Sequence, residues 1–87
     1  MKTIEELSFD LSLEMAAKKD DIIRASYAKY LGREIDEYDK GHIQLRVDPN
    51  GITECFYDST KIVTLFPVET DFSNGDFKAT VKYQVHV

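Results

Sequence analysis

Neither glycine nor proline occurs before Gly32, and all four glycines and both prolines fall between positions 32 and 75. These two residue types punctuate a chain more strongly than any others. Their distribution therefore predicts a helical first part and a second part cut into strands by turns. The 87 residues suffice for one domain, because a domain takes roughly 100 to 200 residues. The expected plan is an α+β fold with a helical part over 1–33, an acidic connection over 34–41 and an antiparallel sheet over 42–87.

Thr3 and Glu6 have the spacing of a capping box, in which the hydroxyl accepts from the third helical amide and the carboxylate reaches back. Ile4, Leu7, Leu11 and Met15 then share one helical face, which predicts a first helix over 3–17. Leu7, Phe9, Leu11, Leu13 and Met15 also alternate with polar residues at the strand period. The helix is preferred, since Ala16, Ala17, Lys18 and Lys19 continue it without a turn residue. A second helix is expected from Asp20 or Asp21, where acids suit the positive end of the dipole. It would bury Ile22, Ile23, Tyr27, Tyr30 and Leu31 and end at Gly32. One unbroken rod over both stretches would reach about 43 Å at 1.5 Å per residue, so a break near 18–21 is expected.

In the second half, turns and periodicity agree. Asp48-Pro49-Asn50-Gly51 is a turn, with Pro presetting the second position and Asn and Gly tolerating the bridge and left-handed conformations after it. Closing it pairs Val47 with Thr53, Leu45 with Cys55 and Ile43 with Tyr57, and on the other face Arg46 with Glu54 and His42 with Asp58. Asn74-Gly75 between alternating runs marks a tight hairpin. It pairs Phe72 with Phe77, Thr70 with Ala79, Asp71 with Lys78 and Glu69 with Thr80. Continued, the same register sets Val68 against Val81, Phe66 against Tyr83 and Thr64 against Val85. A turn at Ser59-Thr60 would join the hairpins and place Cys55 beside Thr64. The result is a four-stranded antiparallel meander, with the two helices on the face carrying Leu45, Cys55, Phe66, Val81 and Tyr83. Pro67 removes one ladder donor, so a bulge or an unpaired side is expected there.

Charge narrows the partners. The formal net charge is −5, both halves are acidic, and the lone basic doublet Lys18-Lys19 runs straight into Asp20-Asp21. Neutralising a nucleic-acid backbone needs clustered Lys or Arg, so direct nucleic-acid binding is not expected. No stretch approaches the roughly 18 apolar residues of a membrane span. Met1-Lys2-Thr3-Ile4-Glu5-Glu6 lacks a signal peptide's apolar run. With Cys55 as the single cysteine, no internal disulfide forms and a cytoplasmic location is expected.

Catalytic and metal chemistry find little support. Cys55 falls on the inner face and His42 and His86 on the outer one, so no Cys-His pair forms. Cys55 reads as a small buried hydrophobe, and His42 with Asp58 reads as a surface pair. Glu34, Asp36, Glu37 and Asp39 lack the ligand spacing and glycine of a calcium loop. The expectation is a non-enzymatic domain without cofactor or metal.

The outer sheet face carries the most informative pattern. In the register above, Ile52, Phe56, Val63 and Leu65 share it, and contiguous exposed apolar residues mark interaction surfaces. These four are the expected partner-binding patch, with Glu34, Asp36, Glu37 and Asp39 as its rim. The partner would be another protein, including a second copy in a homodimer. Size and acidity suit an accessory protein or inhibitor of the phage or mobile-element kind. Two rival readings remain: an acidic mimic of nucleic acid built on the same four carboxylates, and a small-molecule pocket between sheet and helices lined by Tyr27, Tyr30 and Tyr83.

Overall fold

The computed structural model describes residues 4–9, 14–73 and 75–87. The α+β class holds, with one helix and a six-stranded antiparallel sheet instead of two helices and four strands. The strands are β1 (Glu5–Phe9), β2 (Ile43–Val47), β3 (Thr53–Tyr57), β4 (Thr60–Leu65), β5 (Glu69–Ser73) and β6 (Asp76–Val85), and α1 spans Met15–Leu31. The sheet order is β1-β6-β4-β3-β2. β5 pairs with the first half of β6, on the side that β4 takes along its second half.

The expected first helix is corrected over Glu5–Phe9. This segment follows its strand period, pairing Leu7 with Val81 and Phe9 with Ala79 along β6. Thr3, and with it the capping box, lies outside the described residues, as do Leu11 and Leu13. A local preference for helix yields here to a β6 edge that would otherwise leave its ladder groups and apolar face open. The expected second helix is present and longer, since it starts at Met15 and runs through 18–21 without a break. Gly32 ends it with φ 73°, a left-handed conformation costly for any residue with a Cβ, and its N–H reaches Ala28 O at 2.8 Å.

Both turn-based registers hold. β2 and β3 pair Ile43, Leu45 and Val47 with Tyr57, Cys55 and Thr53, and β5 and β6 pair Phe72 with Phe77 and Asp71 with Lys78. The continuation between them does not. From Glu69↔Thr80 to Leu65↔Tyr83 the chain takes four steps against three on β6. The extra residue falls at Phe66–Val68, around Pro67, where the strand breaks into β4 and β5. One residue of slip turns every subsequent side chain to the other face. Leu65 and Val63 therefore stand against Tyr83 and Val85 on the helix face, and Thr64 stands against Gln84 on the other.

The turn between β3 and β4 moves in the same sense. It sits on Asp58-Ser59, with Tyr57 opposite Thr60 and Asp58 at φ 54°. Cys55 pairs with Val63 and Phe56 with Lys61, so Ile62 is the odd residue of a bulge. Ile62 and Val63, though consecutive, are both fully enclosed.

α1 packs on β4 and β6. Ile22 and Tyr27 join Phe9, Cys55, Ile62, Val63, Leu65, Ala79 and Val81 in the core. A helix about 10 Å wide covers roughly two strands spaced about 4.8 Å apart. β2, two strands beyond β4, is left outside this cover, with Leu45 53% and Val47 70% exposed. No described helix is long and apolar enough to cross a membrane.

Candidate functional site

Two neighbouring features involve the residues that could act on other molecules. The first is the corner where the connection enters the sheet. Beyond Gly32 the chain turns back, and a single 3-10 turn at Asp39–Gly41 delivers it to β2. Asp39 has no solvent exposure. Arg33 donates to it from Nη1 at 2.7 Å and Nη2 at 2.9 Å, the Asp36 amide donates at 2.9 Å and the Tyr57 hydroxyl at 2.8 Å. The guanidinium first, and then the Asp36 amide, hold the Asp39 carboxyl well below the usual carboxylate range. The same bond to Asp39, then burial, pushes the Tyr57 phenol up to about 12.

The Tyr57 ring stacks on His42 with centroids 5.4 Å apart and planes 17° from parallel, while Tyr38 approaches His42 at 4.9 Å. His42 Nδ1 lies 2.7 Å from Asp58 Oδ1, and the Asp58 amide donates to His42 O at 2.8 Å. The expected His42–Asp58 pair is therefore formed. Together these contacts fix the start of β2. Among the described residues no buried side-chain nitrogen or oxygen lacks a partner, so the corner acts as a closed lock.

The expected partner patch is not assembled. Val63 is 0% and Leu65 1% exposed, because the slip at Pro67 carries both to the helix face. Ile52 is half-buried after the turn. Phe56 stays on the outer face, half-buried, with the Arg46 guanidinium carbon 5.2 Å from its ring centroid. Its neighbours across β4 are polar: Lys61 stands opposite it and reaches Glu54 at 2.7 Å, and Thr64 bonds His86 Nε2 at 2.8 Å. Phe66, expected inward, instead borders a small cleft with Ile4, Pro67, Glu69 and Lys82.

The expected rim is likewise altered. Asp39 is enclosed, Glu37 binds Lys40 at 2.8 Å and Asp36 lies 3.6 Å from Arg33. A cleft of about 610 Å3 between α1 and the connection is lined by Glu34, Asp36 and Glu37 but also by Arg24 and Lys40. Cations set among the acids blunt any resemblance to a phosphate row. The three tyrosines named for a ligand pocket do not line this cleft. Tyr27 is enclosed and donates to Phe56 O at 2.7 Å, and Tyr30 lies against Tyr57 at 5.7 Å. Burial pushes the enclosed Cys55 thiol up to about 11. Among the described residues no group of three His, Cys, Asp or Glu gathers as for a metal ion.

The second feature is one that the sequence pattern alone does not reveal. β2 pairs only with β3, and its other edge is open among the described residues. His42 O accepts from Asp58, and the Asp48 amide donates to Ile52 O at 3.0 Å. Alternate residues of an antiparallel strand aim their N–H and C=O to opposite sides. His42, Gln44, Arg46 and Asp48 therefore aim at β3, and Ile43, Leu45 and Val47 aim theirs outward. Two of them, Leu45 and Val47, also carry apolar side chains that α1 leaves uncovered, while Ile43 is half-buried against the core. The available signal is the apolar alternation of β2 on a strand with no partner on its far side.

No protein-family model, curated protein or solved structure matches the chain.

Proposed function

We propose that this protein is a non-enzymatic binding domain that engages another protein by strand addition along β2. The observation that carries the reading is the open edge itself, with three outward amides and carbonyls beside exposed Leu45 and Val47. Strand addition draws affinity from main-chain hydrogen bonds and specificity from alternate side chains, and β2 offers both. Natural sheets guard such edges with lysine, proline, bulges or inward charges. β2 contains none of these between Ile43 and Val47, and its one charge, Arg46, lies over Phe56. The Arg33–Asp39–Tyr57 lock supports the reading by holding the start of the strand in place.

Val47→Pro tests it directly. Proline is tolerated on an edge strand where its missing N–H faces solvent, and the Val47 N–H faces away from β3. The variant is expected to keep its cooperative melt and to lose the proteins that co-purify with the wild type from the native host. Co-purification unchanged in both Val47→Pro and Leu45→Lys would end the strand-addition reading.

A further inference from the structure

We infer that the occupant of the β2 edge is a second copy of this chain, paired antiparallel about a two-fold axis at Leu45. The inference rests on the strand-addition reading and names its partner. The register is set by the strand's own chemistry. A two-fold at Leu45 places Leu45 against the partner's Leu45, Ile43 against the partner's Val47 and Val47 against the partner's Ile43. All three positions aim their N–H and C=O outward, so each pair exchanges two hydrogen bonds and no outward group between Ile43 and Val47 is left over. Shifting the axis by one residue, to Gln44 or Arg46, would pair Ile43 with Leu45 or Leu45 with Val47 and leave Val47 or Ile43 of each copy unpaired. Shifting it by two would leave two outward residues of each copy unpaired.

The side chains fit the same register. On the helix face the exposed Leu45 and Val47 meet Leu45 and Ile43 of the other copy, giving an unbroken apolar row. On the outer face Gln44 stands across from Arg46, so no like charges meet. The other edges do not offer this. β5 centred on itself would set Asp71 against Asp71, and β1 brings the adjacent acids Glu5 and Glu6 to the seam of a chain with net charge −5.

Sedimentation equilibrium and register-specific cross-linking test it together. The wild type is expected at twice its 10.0 kDa mass with a concentration-dependent return to monomer, and Val47→Pro at the single mass with its melt intact. Under mild oxidation Leu45→Cys is expected to form a covalent dimer. Val47→Cys is not, since two copies of that position lie about 13 Å apart in this register and a disulfide needs Cα atoms within about 7 Å. The enclosed Cys55 of the unmodified chain supplies the background control. A wild type that stays monomeric into the millimolar range, or equal cross-linking at positions 45 and 47, overturns the inference. If the monomer instead protects the Ile43, Leu45 and Val47 amides from exchange in a complex with a different protein, strand addition survives and only the second copy is lost. If Val47→Pro dimerises like the wild type, β2 is not the contact and both fall.

Discussion

Arg33 grips Asp39 with two hydrogen bonds of 2.7 and 2.9 Å, from a guanidinium half in solvent to a carboxylate wholly out of it. Breaking a buried pair on one side leaves the other charge uncompensated, whereas replacing both partners removes the problem. Arg33→Met is therefore expected to lower the thermal midpoint more than Asp39→Asn, which leaves a neutral group able to bond Tyr57. The double variant is expected to melt above Arg33→Met alone. Thermal unfolding followed by circular dichroism at pH 7 checks the order.

The pH response of this lock has a definite sign at each end. Asp39 is held below its unfolded value of about 3.9, so its contribution is fully present above that value and is lost as pH falls through the folded one. Tyr57 is raised from 10.0 to about 12, so its contribution is present below about 10 and is lost as pH rises through 12. Urea midpoints are expected to fall between pH 4 and pH 2 less steeply in Asp39→Asn than in wild type. Between pH 10 and pH 12 they are expected to fall less steeply in Tyr57→Phe.

Leu65 and Phe56 separate the core from the outer face. Leu65 is 1% exposed and Phe56 half-buried under Arg46, so Leu65→Ala is expected to cost about 2 to 5 kcal/mol. Phe56→Ala should cost less, with about 0.5 to 1 kcal/mol of it from the lost cation–π contact. Urea denaturation at fixed slope measures both. The reverse order would return Leu65 to the surface.

Cys55 should be inert while the chain is folded. It is fully enclosed, and burial raises its thiol to about 11, so thiolate and access are both lacking at pH 8. Alkylation by iodoacetamide is expected to match the unfolding rate and to accelerate with sub-denaturing urea in step with it. A fast phase independent of urea would show that the residue is open.

What is legible in the sequence depends on local turns. Asp48-Pro49-Asn50-Gly51 and Asn74-Gly75 each set the register of the strands they join, and every pair read from them between Ile43 and Tyr57 and between Glu69 and Thr80 is present. Pro67 marks the site of irregularity without revealing which way the register moves there. One inserted residue is small on the scale of a strand yet inverts every side chain beyond it, so Val63 and Leu65 change faces. Glu5–Phe9 satisfies both periods, and what decides between them is β6, more than sixty residues away. Distance along the chain also hides Tyr57 as a partner of Asp39, which by composition is one of four solvated acids. The open β2 edge follows from a strand order that, among the described residues, ends at β2, and its exposed Leu45 and Val47 follow from a single helix too narrow to reach them.

β6 is flanked by β1 along one side and by β5 and β4 along the other, and it comes after all three in the chain. During synthesis these strands leave the ribosome before the strand that joins them. Glu5 meets Tyr83 across almost the whole length of the chain, and pairings so distant in sequence make folding slow. Until β6 emerges, β4 lacks a neighbour on one side and β1 and β5 have none at all. The growing polypeptide thus passes through an interval with two strands unpaired and the apolar edge of β4 open, the kind of species on which chaperones act. A release assay on ribosome-bound chains would find protease resistance appearing only after residue 85 clears the exit tunnel.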